Sequence, residues 1–297
     1  MIIAAGLSPA WQQILEVDSL QVGEVNRCQS AHWSASGKVI NVGIAVRHLD
    51  ISCESIFSAG GYTRELIEAD LTQQNPTRIC TTVLDRSTGQ TTELVENATA
   101  VSAEEVSAFA EEYRNYVSSA DVVVLTGSLP TGAPATLYHD LLADTDCPVI
   151  LDARGPELEA ALMQSPFLVK PNLEELEQTL ARPLTSTDQM IKGMQEINQR
   201  GATWVVISQG KDALWATSEQ QVYRFTPAKA KVVNPIGCGD SLAAGIACGI
   251  HEGRSVPDAI RWGMASAADN LTQLLPARLS KTRVQTFFEQ IEMEQLV

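Results

Sequence analysis

Residues 121–127 read DVVVLTG and residues 204–210 read WVVISQG. Each is a short β-branched run that is apolar at successive positions, so both of its faces are suited to burial. Strands of a parallel sheet covered by helices on both sides have this pattern. Around them the chain alternates in the same rhythm. MIIAAGL precedes a helical pattern over Val39–Leu49, and Asp121–Thr126 precedes Pro134–Ala143. Pro148–Asp152 is followed by Leu158–Met163, and Phe167–Lys170 by Glu174–Ala181. Thr203–Ser208 reads as a further strand, with helices over Ser241–Gly249 and Pro257–Leu274. The β–α alternation predicts a three-layer α/β/α sandwich. No internal repeat, low-complexity tract or linker interrupts residues 1–297, so a single domain is expected.

Two stretches break the rhythm. Residues 10–36 and 77–97 alternate polar and apolar positions (ILEVDSLQV, RICTTVLD) with little helical period. They read as antiparallel strands outside the main sheet, able to pair as a small lid that keeps water from a site beneath it.

Composition narrows the function classes. The formal net charge is −15, with no Lys/Arg-rich stretch, which argues against nucleic acid as a partner. No run approaches the ~18 apolar residues of a membrane span. The amino terminus lacks the basic start and apolar length of a signal peptide. The six cysteines are scattered without C-x-x-C or nearby His, as reduced thiols of a cytoplasmic protein would be.

The chemistry concentrates in NPIGCGDSLAAGIACGI, residues 234–250. Gly237, Cys238 and Gly239 precede a small-residue helix that begins near Asp240. A Gly-flanked turn at a helix start leaves backbone N–H groups free, and the helix dipole adds to their pull on an anion. A carboxylate beside such a turn suits phosphoryl transfer, in which amides stabilise developing charge and the acid accepts a hydroxyl proton. Taken alone, the run is equally a glycine-rich helix start with Asp240 as its cap. It is not a dinucleotide fingerprint, because Leu242 stands where the third glycine belongs. No G-x-x-x-x-G-K-[ST] loop occurs in the chain.

In order along the chain come GEVNR (23–27), SGKVINV (36–42), TEL (92–94), LTGSLPTG (125–132), LDARG (151–155), KPNLEEL (170–176), SQGKDA (208–213) and GCGDSLAAG (237–245). This series resembles the PfkB (ribokinase-like) carbohydrate kinases, nearest to the 1-phosphofructokinase and tagatose-6-phosphate kinase branch. The resemblance implies a ribokinase-like fold with a β-sheet lid, often a dimer contact, and ATP with Mg²⁺ as phosphoryl donor. Position by position it implies Asp240 as catalytic base and the Gly237–Asp240 amides as anion hole. Lys170, Asn172, Ser208, Gly210 and Asn270 fall to the ATP side, and Glu175 to the magnesium, through water. On the acceptor side it implies Arg27 and Lys38 for a phosphate, Asn41 and Gly37 beside the sugar, and Glu93 as a lid contact.

The departures fall mainly on the acceptor side. SPAWQ places Ser8 and Gln12 where the family has Asn and Asp, and Gln accepts fewer and weaker hydrogen bonds than a carboxylate. Ser36 and Val39 replace glycines, and Val tolerates neither positive φ nor close ligand approach. Ala213 and Arg154 stand where Gly and Ser are usual. The reading is therefore ATP-dependent phosphorylation of a sugar phosphate, with a ketose phosphate as acceptor. Two alternatives stay open: a kinase for an unphosphorylated sugar or nucleoside, and a non-catalytic protein that binds sugar phosphate or nucleotide.

Overall fold

The computed structural model describes residues 1–60, 72–73 and 78–296. In chain order the elements are β1 (Ile2–Ala5), β2 (Ala10–Val17), β3 (Ser30–Ser36), α1 (Lys38–His48), β4 (Cys53–Ile56), β5 (Ala59–Gly60), β6 (Thr72–Gln73), β7 (Ile79–Asp85) and β8 (Thr91–Val95). There follow α2 (Ala103–Val117), β9 (Val122–Thr126), α3 (Leu137–Ala143), β10 (Val149–Asp152), α4 (Gly155–Leu162), β11 (Leu168–Val169), α5 (Leu173–Thr179) and α6 (Thr187–Gln199). The chain closes with β12 (Trp204–Ile207), β13 (Leu214–Thr217), β14 (Val222–Thr226), α7 (Cys238–His251), α8 (Val256–Leu271), α9 (Lys281–Gln290) and β15 (Glu292–Gln295).

Nine strands form one sheet in the order β15-β14-β13-β12-β11-β10-β9-β1-β4. From β4 to β12 every pairing is parallel, and β13, β14 and β15 add antiparallel strands at one edge. The apolar runs serve both faces because successive side chains point to opposite sides. Ile2, Ala4, Val122, Val124, Ile150 and Val206 pack with α1, α7 and α8. Ile3, Ala5, Val123, Leu125, Leu151 and Val205 pack with α2, α3 and α6 on the other side. The three-layer expectation holds. The antiparallel edge and the helices α2, α6 and α9 are additions to it. Helix α2 starts at a capping box in which Ser102 and Glu105 exchange side-chain and backbone hydrogen bonds.

The small lid sheet has the order β3-β2-β7-β8. Its strands lie within 10–36 and 77–97, apart from Thr77, which falls outside the described residues. One feature differs from the antiparallel expectation. Within each hairpin the pairing is antiparallel, but β2 and β7 run parallel where the hairpins meet. The two hairpins come from distant parts of the chain, so no turn dictates their relative direction. Strand β2 leaves the main sheet directly after β1, and β3 leads straight into α1. The lid is thereby rooted over the carboxyl ends of β1, β9 and β10, where open α/β sheets bind ligands. Among the described residues no helix is long and apolar enough to cross a membrane.

Candidate active site

Helix α7 begins at Gly237, whose φ of 82° is left-handed and is accessible to glycine at little cost. The turn leaves the N–H groups of Gly237, Gly239 and Asp240 without partners among the described residues. That of Cys238 is held in a turn by the Pro235 carbonyl at 3.3 Å. Three of the four expected donors are thus free to form an anion cradle at a helix N-terminus. Asp240 sits in the first turn of this helix with 7% of its surface exposed. Burial raises its carboxyl above the ordinary range, while Lys38 and a hydrogen bond from Asn41 pull it back.

Asn41 and Lys38 arrive on α1, which starts after Gly37. That glycine has φ 91°, and a Cβ there would lie 2.6 Å from the Ser8 carbonyl oxygen, so no other residue fits without displacing backbone. Asn41 Nδ2 donates to Asp240 Oδ2 at 2.8 Å, and Ser36 Oγ donates to Asn41 Oδ1 at 3.1 Å. Ser36, read from the sequence as a departure, fixes which way the Asn41 amide faces. Val39, read as incompatible with the turn, has ordinary helical backbone and packs in the core. The sharp conformation rests on Gly37 alone.

A carboxylate that sequence reasoning did not single out organises the cations. Asp152, at the end of β10, is fully buried and bridges Lys38 Nζ at 3.1 Å and Lys170 Nζ at 3.4 Å. Burial alone would push its carboxyl up, but Lys170 and Lys38 outweigh that and bring it below its usual value. For Lys38 burial works against the charge, and Asp152 and Asp240 more than restore it. A Cβ on Gly239 would lie 3.6 Å from Lys170 Nζ, which sets this ammonium against the cradle. The signal was in LDARG: an Asp at the carboxyl end of an apolar strand that fills the middle of the sheet.

A cavity of about 350 Å³ lies between these groups and the inner face of the lid. Gly37, Lys38, Asn41, the Gly237–Gly239 turn and Asp240 line its floor, and Gln12, Arg78, Cys80 and Glu93 its roof. Gln12 donates from Nε2 to Thr82 Oγ1 at 2.7 Å, which leaves its carbonyl oxygen for the cavity. Arg78 is a second residue the sequence reading passed over. Its Nε and Nη2 donate to the carbonyls of Pro9 and Ser8 at 3.3 and 3.2 Å, and Nη1 to that of Glu96 at 3.5 Å. These bonds fix the guanidinium, which shares the roof with Glu93 but forms no ion pair among the described residues, so it can still turn to a ligand's phosphate. Arg27 lies in the exposed 18–29 loop and does not line this cavity.

The remaining predicted residues lie elsewhere. Asn172 and Glu175 form a reciprocal capping box at the start of α5, with bonds of 2.8 and 2.9 Å. Asn172 also bridges to Ser208 at the end of β12, followed by Gly210 with φ 62° in an open turn. These positions share the carboxyl edge of the sheet with Lys170 but lie outside the cavity. Asn270 is fully buried. Its Nδ2 donates to the Ile236 carbonyl at 2.9 Å and to Cys238 Sγ at 3.2 Å, and its Oδ1 accepts from Ser241 Oγ at 3.2 Å and Ala277 N at 2.7 Å. It braces the cradle from behind. Among the described residues no cluster of three or more His, Cys, Asp or Glu could hold a metal ion.

The family model described as pfkB family carbohydrate kinase matches residues 10–282. The chain is 29% identical over 278 residues to 1-phosphofructokinase of Bacillus subtilis (strain 168), covering 90% of this chain and 91% of that protein. Phosphofructokinase-2 from Escherichia coli, in complex with substrates and products, superposes with a TM-score of 0.88 at 27% identity, covering 97% and 98% of the two chains. A possible 1-phosphofructokinase from Thermotoga maritima shares the fold with a TM-score of 0.91 at 19% identity, covering 100% and 99%.

Proposed function

The chain belongs to the pfkB family of carbohydrate kinases, and from that premise we propose that it transfers the γ-phosphoryl group of ATP to a hydroxyl of a ketose phosphate. The observation that carries the reading is one cavity holding a buried carboxylate beside a cradle of free amides, with the Arg78 guanidinium in its roof, in no ion pair among the described residues. The likeness to 1-phosphofructokinase of Bacillus subtilis points to fructose 1-phosphate as the first acceptor to try.

In this reading Arg78 binds the phosphate the acceptor already carries, the task the sequence resemblance laid on Arg27. Its planar fork matches two phosphate oxygens. With that end anchored, the accepting hydroxyl reaches Asp240, which Asn41 holds in place. Asp240 takes the hydroxyl proton as the oxygen attacks the γ-phosphorus, and the bond to the bridging oxygen of ADP breaks. The amides of Gly237, Gly239 and Asp240 stabilise the charge that develops on the transferring group, and Lys170 and Lys38 add their own charge from either side of Asp152. The lid excludes water that would otherwise compete as acceptor.

ATP is assigned to the carboxyl edge of the sheet, near Asn172, Ser208 and Gly210. Mg²⁺ keeps most of its waters and needs only one or two carboxylates beside the phosphates. Glu175 would hold it through water. When bound it would neutralise phosphate charge during transfer.

A homodimer through the lid belongs to the same reading. Alternation turns Trp33, Gln13, Thr81 and Leu94 into one row across the outer face of the lid. Trp33 and Leu94 remain 47% and 61% exposed there. A second copy of this face is a fitting cover.

The test is ADP release by the purified protein with Mg·ATP against ketose phosphates, aldose phosphates, free sugars and nucleosides. Turnover confined to a phosphorylated ketose is the expected result. Turnover only with unphosphorylated acceptors, or none at all, overturns the assignment.

A further inference from the structure

The cradle and the lid are joined by a path that avoids the cavity. Behind the cradle, Asn270 grips both the Ile236 carbonyl and the Ala277 amide. Pro276 presses against the cradle backbone so closely that a Cβ on Gly237 would lie 2.8 Å from its ring. Two residues further on, Arg278 reaches up to the lid, where its Nη2 donates to Ser34 Oγ at 3.1 Å. Ser34 is the cross-strand partner of Gln12, which lines the roof.

The segment carrying these contacts has little freedom. Ala277 is a buried non-glycine residue with left-handed backbone, φ 64°, a conformation kept only where surrounding structure enforces it. Beyond it, Asp269 accepts from Ser280 N at 2.6 Å and pairs with Arg283 at 2.5 Å. Movement of the cradle is therefore carried to Arg278. Arg278 itself is incompletely satisfied: its Nη1 is buried without a partner, and no carboxylate pairs with it among the described residues. A half-buried guanidinium held by one serine hydroxyl, with one nitrogen buried and unpartnered, is a poor stabilising contact. Such a contact can exchange partners at little cost.

We propose that Arg278 is a positioning residue that couples the anion cradle to the lid, so that filling the cradle orders the lid over the acceptor. The proposal rests on the kinase reading above, because it takes the cradle's ligand to be a nucleotide phosphate. Ser34 is the lid end of the link and Asn270 the cradle end.

The experiment is hydrogen exchange of the full chain, followed in β2 and β3, with and without Mg²⁺ and a non-hydrolysable ATP analogue. In the wild type the analogue slows exchange of these lid strands by about tenfold. In Arg278→Met the analogue binds within threefold of the wild-type Kd, yet the lid responds by less than twofold. Ser34→Ala, a smaller change that leaves the guanidinium in place, shows the same loss and covers the case in which Arg278→Met folds poorly. A lid that responds normally in both variants overturns the proposal. A wild type that binds the analogue with no response in the lid also overturns it, while the kinase reading survives. A wild type that does not bind the analogue overturns both.

Discussion

Asn41 and Asp240, 199 positions apart in sequence, meet through a single 2.8 Å hydrogen bond from amide to carboxylate. Because Ser36 occupies the amide's oxygen, Asn41 can present only its N–H₂ to the carboxylate. The second carboxylate oxygen is left for the proton of an incoming hydroxyl. Asp240→Asn is expected to lower kcat by about 10³-fold, within the range of a lost general base. Nucleotide Kd should stay within threefold, measured by calorimetry. Retention of more than a tenth of wild-type turnover would remove Asp240 from the mechanism.

The pH dependence follows from the burial of that carboxylate. Asp240 must be ionised to act, and its folded-state pKa lies above the ordinary carboxylate value of about 3.9. The acid limb of kcat/KM should therefore fall at higher pH than for an exposed aspartate. Lys38→Met removes a charge that favours ionisation and should move the limb further upward. For stability the sign is the reverse of the usual aspartate: with the folded pKa raised, the contribution is present below the unfolded pKa and lost as pH rises through the folded one. A limb unmoved by Lys38→Met would show that another group sets it.

Arg78→Met should raise KM for a phosphorylated ketose on the order of 30-fold, as for a lost charge-assisted hydrogen bond of ~2 kcal/mol, with kcat within threefold. KM for an unphosphorylated sugar, if one is accepted at all, should hardly change. Equal effects on both acceptors would place the phosphate elsewhere.

Asp152→Asn strands two ammonium groups. Lys170 is 8% exposed and Lys38 41%, so most of the loss arises from the Lys170 pair. Denaturant unfolding should report a decrease of about 3 kcal/mol at neutral pH. The folded pKa of Asp152 is depressed, so its contribution is present above the unfolded value and lost as pH falls through the folded one. The gap between wild type and variant should narrow in acid. A constant gap would mean that packing, not charge, sets the difference.

On the outer face of the lid, Trp33→Asp places a charge at one end of the row that runs through Gln13 and Thr81 to Leu94. Sedimentation is expected to find a dimer for the wild type and a monomer for the variant. A dimer that persists in the variant would move the contact to another face.

Much of the architecture was legible because burial on two faces imposes a composition. Runs such as 121–127 and 204–210 have little alternative to a covered parallel strand. The cradle was readable from Gly237 and Gly239, since a left-handed turn at a helix start has few other solutions. The roof was harder. Arg78 opens a strand whose polar–apolar alternation does not reveal which polar positions face a cavity and which face solvent. Asp152 was obscured by its position among apolar neighbours, where a carboxylate is explained only by the lysines that chain topology brings to it. Val39 misled for the opposite reason. The constraint imagined for it belongs to Gly37, and sequence cannot show which of two residues so close together carries the positive φ.

The parallel junction of β2 with β7 joins strands 68 residues apart at Trp11 and Ile79, and the Asn41–Asp240 bond spans nearly three times that. Contacts this remote close large loops, and closing them is slow compared with forming local structure. In refolding, the helices and the parallel core can be established while the two lid hairpins are still unjoined. Acceptor binding should thus return later than the core tryptophan signal, and the time between them measures how long the protein exists as a folded body without an active site.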